Sequence, residues 1–331
     1  STLGMILIIS SYDLIIFYLA LELQSLCLYI LASFKRDDER STEAGLKYFV
    51  LNALASGLLL YGCSLIYGFT GSTNFEIISV NLDKANTGAI FGIVFIIVGL
   101  AFKVSAVPFH MWTPDVYEGA PTSVTSFFAL VPKIAAISVF IRFMYVPFIN
   151  MLNQWQIIII FLAIASMFLG AIAAINQTNI KRLLAYSSIG HVGYILIALS
   201  SGSLEGFHAS VIYIVTYMLM SVGIWSVTSC LEREHPTKRT RTLTDLAMIS
   251  KSNPVLAFST SILLFSMAGV PPLAGFYAKF CVFLASINAS MYVCSIIIIL
   301  ASVVSTYYYI RLIKTVYFEK TTTKVFYKPM S

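Results

Sequence analysis

The chain has 331 residues, of which 58% are hydrophobic and 11% charged, against roughly 45–50% and about 25% for soluble globular domains. That balance excludes an ordinary soluble protein and, with it, catalysis on a bulky soluble substrate. The formal net charge of +6 does not point to nucleic acid, because the basic residues are dispersed among connectors and no basic stripe carries interleaved aromatics.

Crossing roughly 30 Å of hydrocarbon at about 1.5 Å per residue takes about 20 apolar residues. Runs of that length predict an all-α, polytopic transmembrane bundle of about nine to ten helices. Residues 3–9 are an apolar stump too short to cross, followed by a polar break at Ser10, Ser11 and Asp13, so 1–13 reads as a truncated helix. Apolar runs over 14–33 and 46–69 come next. A polar loop over 70–87 leads to a run over 88–107, then to a joint over 108–121 with proline, tryptophan and acidic residues, then to a run over 122–149. Further runs cover 155–175, 183–200, 207–231, 254–287 and 290–310, before a basic tail over 311–331. The run over 254–287 is too long for one straight crossing and holds Pro271 and Pro272 near its middle, which predicts a broken helix. A second break near Pro108 divides the chain into two inverted repeats, 14–149 and 155–310, each with one discontinuous helix. The chain starts at Ser1 without the basic segment, short apolar core and cleavage site of a targeting leader.

Positive charge collects in loops that face the cytoplasm or matrix, so the 21 Lys and Arg residues test this plan. On one side fall Lys35, Arg36, Arg40, Lys47, Lys181, Arg182, Arg233, Lys238, Arg239, Arg241, Lys251, Arg311, Lys314, Lys320, Lys324 and Lys328. The opposite connectors hold only Lys84. A wrong number of crossings would scramble that separation.

Four basic residues remain inside the runs: Lys103, Lys133, Arg142 and Lys279. With Glu22 they carry most of the functional information, because an ionisable side chain at membrane depth costs about 2.5–3.5 kcal/mol or more and needs an interior partner. Arg142 is nearest a helix end and reads as a structural residue that snorkels. Glu22 lies near the middle of its run, on one helical face with Ser25 and Tyr29. Lys103 precedes Pro108 and Lys279 follows Pro272, so each is a lysine beside a helix break, where freed carbonyls and half-helix ends build polar sites. Lys133 follows Pro132 inside its run. Desolvation favours a neutral amine and a nearby carboxylate favours an ammonium, so separating such a pair releases a proton. Neutralisation alone does not explain three interior lysines facing one evident interior glutamate.

His191 is a candidate relay, with Ser187 and Tyr194 on its helical face. His208 and His110 are weaker candidates, and His235 in a basic loop reads as solvated. Asp115 and Glu118 read as helix-start residues. Tyr307, Tyr308 and Tyr309 before Arg311 read as an interfacial belt. The five cysteines, Cys27, Cys63, Cys230, Cys281 and Cys294, have no metal-ligand spacing and read as small core residues.

The stretches LELQSLCLYIL (21–31), STEAGLKYFVL (41–51), FKVSAVPFHMWTPDVYEGAPTSV (102–124), KRLLAYSSIGHVGYILIAL (181–199) and AGVPPLAGFYAKF (268–280) carry a resemblance that covers nearly the whole chain. It resembles the antiporter-like membrane subunits of the proton-pumping NADH:ubiquinone oxidoreductase, respiratory complex I. Its wording is closest to the mitochondrially encoded subunit 2 group. The resemblance implies a subunit of an H+-translocating enzyme that holds no redox cofactor, electrons reaching quinone in other subunits. It implies that Glu22 and Lys103 form the first-half ion pair, that Lys133 is the connecting lysine and that Lys279 is the lysine of the second broken helix. Together they would form a hydrated polar axis. It further implies a mitochondrial inner membrane location with the basic loops in the matrix. The implied partners are other membrane-arm subunits, including neighbouring antiporter-like ones, and membrane lipids. Relatives carry helices before residue 3 and one after the tail, which leaves three alternatives open: a separate chain supplies the N-terminal ones as a further partner, the sequence is part of a longer chain, or the protein is reduced. Two rival readings stand beside this one, an independent cation/proton antiporter and a non-pumping structural subunit.

Overall fold

The computed structural model of the protein describes residues 1–82, 87–230, 242–247 and 249–319. Among them there is no named strand, only isolated bridges at Asp13–Asn74 and Asn179–Thr242. The helices are α1 (Thr2–Ser10), α2 (Leu14–Ala32), α3 (Glu39–Thr70), α4 (Phe75–Asn81), α5 (Thr87–Val104), α6 (Trp112–Gly119) and α7 (Thr122–Tyr145). They continue as α8 (Leu152–Ile175), α9 (Ile180–Ser200), α10 (Leu204–Cys230), α11 (Ile249–Ser252), α12 (Pro254–Ala268), α13 (Ala274–Asn288) and α14 (Tyr292–Phe318). Eight of these spans are long and apolar enough to cross a membrane. The half-length α12 and α13 follow one another through residues 269–273 and make up a ninth crossing.

Helix starts follow the polar connectors. Asp13, Asp38, Asn74, Asn179 and Asn253 each accept from a backbone N–H in the first turn of α2, α3, α4, α9 and α12, satisfying donors that a helix start leaves without intrahelical partners. Contacts between connectors agree with the crossing order. At the charge-poor side Arg142 donates to the carbonyls of Ile9 and Ser11, and Asn150 donates to Ser79 O. At the basic side Arg311 donates to Ile175 O, and Lys181 donates to Ala120 O. Arg142 therefore does not snorkel freely. Its guanidinium closes the C-terminal end of α1 and lies 4.8 Å from the Tyr12 ring centroid, which is a structural role of a more fixed kind.

Both expected breaks are present. α5 stops at Val104, residues 105–111 form an irregular link, and α6 continues to Gly119. Ser105 adopts a positive φ of 62°, and α12 ends at Gly269 with φ 88°. The apolar interior is correspondingly divided. One buried cluster contains Phe17, Ile96, Phe140, Ile195 and Tyr213, and the other contains Tyr48, Trp112, Phe128, Leu184 and Trp225. Along the chain, Lys133 falls between Ala129 of one cluster and Ala136 of the other, and His191 between Ala185 and Val192.

α9 is the central element, with nearly every residue buried. It reaches α8 closely because a Cβ on Gly170 would lie 2.6 Å from Gly190 N. Small residues at such contacts let transmembrane helices pack backbone to backbone. That approach puts Ser187, Ser188 and His191 in the middle of the bundle.

Candidate functional site

The first polar centre forms where the end of α5 meets α2 and α3. The Lys103 ammonium donates to Ser25 Oγ at 2.6 Å and to Asn52 Oδ1 at 2.6 Å. Asn52 Nδ2 donates in turn to the Tyr29 hydroxyl and, at 3.4 Å, to Ser56 Oγ. Ser25, Asn52 and Lys103 are all buried. The helical face read in the sequence as Glu22, Ser25 and Tyr29 is therefore the face that lines this centre. The direct Glu22–Lys103 pair implied by the resemblance is not closed: neither residue forms an ion pair among the described residues. Glu22 Oε1 is buried without a hydrogen-bond partner.

Asn52 did not stand out in the sequence. The available signal was an amide in the middle of the apolar run over 46–69, which is costly to bury unless its hydrogen bonds are satisfied.

The second centre surrounds α9. Lys133, 1% exposed, donates to Ser188 Oγ at 2.7 Å and lies 5.4 Å from the Tyr117 ring centroid. His191 is held at both ring nitrogens, with Nδ1 2.8 Å from the Tyr213 hydroxyl and Nε2 3.0 Å from the Tyr309 hydroxyl. Tyr309 donates to Ser187 Oγ at 3.0 Å. Lys279 donates to Ala268 O at 2.8 Å, a carbonyl at the helix end freed by the second break, and lies 5.2 Å from the Tyr194 ring centroid. A cavity of about 10 Å³ among Lys279, His191, Tyr194, Ser187 and Tyr309 is close to the size one water needs. The Tyr194 hydroxyl, which lines it, has no partner.

Tyr309 spends its hydrogen on Ser187 Oγ and so accepts from His191 Nε2, while the Tyr213 hydroxyl can donate to or accept from Nδ1, so the pair accommodates the Nε2-protonated tautomer and the imidazolium. Amines stabilised at ring faces and by neutral acceptors tolerate both protonation states better than amines locked to carboxylates. The arrangement is suited to passing protons.

Several sequence expectations change. Tyr308 and Tyr309 are buried while Tyr307 is 60% exposed, so only Tyr307 fits an interfacial belt; helix rotation turns its two neighbours inward. Asp115 lies in the first turn of α6 as expected, but Glu118 lies at the other end, and both are ion-paired. Asp115 meets Lys47 at 3.0 Å and Arg182 at 3.2 Å, and Glu118 meets Arg182 at 3.0 Å. Lys47, Lys181 and Arg182 are thus partnered residues within helices rather than free loop charges. His110 is buried in the first break with Nδ1 unpartnered, and His208 is exposed on α10. Cys63 and Cys294 are buried, whereas Cys27, Cys230 and Cys281 are only partly so. Lys84, Arg233, His235, Lys238, Arg239, Arg241, Lys320, Lys324 and Lys328 lie outside the described residues, as does most of the basic tail.

A bundle with two interrupted crossings and lysines buried at the interruptions is the architecture of an antiporter-like membrane subunit. Comparison with known proteins bears this out: residues 11–305 match the family described as NADH:quinone oxidoreductase/Mrp antiporter, TM. The chain is 58% identical over 320 residues to NADH-quinone oxidoreductase subunit N of Pelagibacter ubique, covering 97% of this chain and 68% of that protein. It is 50% identical over 338 residues to NADH-ubiquinone oxidoreductase chain 2 of Marchantia polymorpha, covering 100% and 68%. A chain of respiratory complex I from Thermus thermophilus, solved with bound aureothin, superposes with a TM-score of 0.85 at 34% identity, covering 99% of this chain and 71% of that one. The chain belongs to the NADH:quinone oxidoreductase/Mrp antiporter family of multi-pass membrane subunits, in its subunit N or chain 2 group.

Proposed function

We propose that the chain conducts protons across the membrane as a membrane-arm subunit of an NADH:quinone oxidoreductase, driven by quinone reduction in other subunits. The observation that carries this is the set of three amines, Lys103, Lys133 and Lys279, each under a tenth exposed. They have neutral hydrogen-bond partners. Moving one charge through the membrane field costs about 2.3 kcal/mol per 100 mV, so the pathway needs groups that take up and release a proton on demand. On this reading Glu22 is the carboxylate that Lys103 pairs with when protonated, Lys133 connects the two halves, His191 relays through its two tyrosines, and Lys279 serves the second break.

The same reading divides the chain into two inverted units, 14–149 and 155–310, each built round one break. It places the subunit in a mitochondrial inner membrane, or in the plasma membrane for a bacterial form. The basic connectors then face the matrix or cytoplasm, following the rule that positive charge stays on that side. Its partners are the other membrane-arm subunits, neighbouring antiporter-like ones among them, with lipid along faces such as that of Ile30, Val80 and Val303, which are exposed.

Lys103→Met in the assembled enzyme tests the reading. Coupled NADH:quinone turnover with proton uptake into sealed vesicles falls, while electron transfer from NADH to a soluble acceptor is retained. Unchanged pumping and turnover would establish a scaffold instead.

A further inference from the structure

The Lys103 cradle can be counted hydrogen by hydrogen. Ser25 Oγ spends its only hydrogen on Leu21 O at 2.7 Å, so it can only accept from Lys103. Asn52 presents Oδ1 to the amine and spends Nδ2 on Tyr29 and Ser56, so it too can only accept. The cradle therefore offers two acceptors. A neutral amine has two N–H groups and an ammonium has three. Two acceptors satisfy the neutral form, and the third hydrogen of the ammonium needs another oxygen. Glu22 Oε1, buried and without a partner, belongs to the residue one turn before Ser25 on α2.

We propose that Asn52 is a positioning residue whose neutral amide holds Lys103 in the neutral, ion-pair-open state, so that arrival of a proton drives the amine toward Glu22. This rests on the reading that Glu22 and Lys103 carry protons. The neutrality of Asn52 is its working property: a carboxylate in the same place would hold the ammonium permanently and stop the exchange. The backbone setting favours such a role. Asn52 is fully buried on α3, and the donating lysine takes the carbonyl end of its amide. Proton movement here breaks one N–H bond of the Lys103 ammonium and forms an O–H bond on the next acceptor, with no change in electron count.

The test uses the assembled enzyme in sealed vesicles and four variants: Glu22→Gln, Asn52→Asp, Asn52→Leu and the double variant Glu22→Gln with Asn52→Asp. Electron transfer from NADH to a soluble acceptor reports the amount of assembled enzyme in each. Asn52→Asp, which keeps shape and acceptor, lowers protons moved per NADH oxidised by as much as Glu22→Gln does. The double variant keeps a carboxylate beside the amine and lacks the one the amine moves toward, so it pumps no better than Asn52→Asp. Asn52→Leu, which removes one acceptor, also lowers pumping. Normal pumping in Asn52→Asp, or pumping recovered in the double variant, overturns the role of Asn52 while leaving the Glu22–Lys103 reading intact. Normal pumping in Glu22→Gln overturns that reading itself, and this inference with it.

Discussion

Tyr309 and His191, 118 residues apart in sequence, meet at 3.0 Å through the tyrosine hydroxyl and the imidazole Nε2. The same hydroxyl donates to Ser187 Oγ, so one tyrosine from α14 closes the second centre against α9. Removing it leaves a buried ring nitrogen and a buried serine without a partner, at a cost of about 1–3 kcal/mol. Tyr309→Phe should therefore lower both the thermal stability of the purified complex and its coupled turnover. Tyr307→Phe, on the exposed side of the same turn, should leave both unchanged.

Gly269 closes α12 with φ 88°, and a Cβ there would lie 2.9 Å from Lys279 Cδ and 3.2 Å from its Nζ. A side chain at that position meets the left-handed backbone penalty of about 1–3 kcal/mol and also pushes the amine away from Ala268 O. Gly269→Ala is expected to reduce coupled turnover, and Gly57→Ala, where a Cβ meets open space, provides the control. Equal turnover in the two variants would remove the second break from the account.

Arg142 makes its contacts with the end of α1 and with Tyr12, not with the lysines. Arg142→Met should cost about 1–3 kcal/mol by leaving the Ile9 and Ser11 carbonyls without their donor. Protons moved per NADH oxidised in the enzyme that survives should not change. A fall in that ratio, measured in sealed vesicles at matched electron-transfer rate, would move Arg142 into the pathway.

The ion pairs of Asp115 with Lys47 and Arg182 tie α6 to α3 and α9. All three side chains are about a third or more exposed, and such pairs contribute about 0–1 kcal/mol each, screened by salt. Asp115→Asn should lower the thermal midpoint by a few degrees at low ionic strength, and the difference from wild type should shrink as salt is raised. A loss that is large and independent of salt would show that the network is more than a surface clamp.

The sequence alone determined the membrane-spanning class, the number of crossings and the two breaks. Hydrocarbon thickness sets run length, Pro108 and the Pro271–Pro272 pair mark the breaks although α7 runs through Pro132, and the cost of burying charge makes Glu22, Lys103, Lys133 and Lys279 conspicuous against apolar neighbours. Which groups face those charges was decided only in three dimensions. Asn52 reaches Lys103 across 51 residues, Ser188 reaches Lys133 across 55, and Tyr309 turned out to be buried where its linear neighbours suggested an interface. Partners of a buried charge come from other helices, and their choice depends on helix rotation and close packing, such as that at Gly170 and Gly190. A single helix's periodicity, without its neighbours, does not specify either.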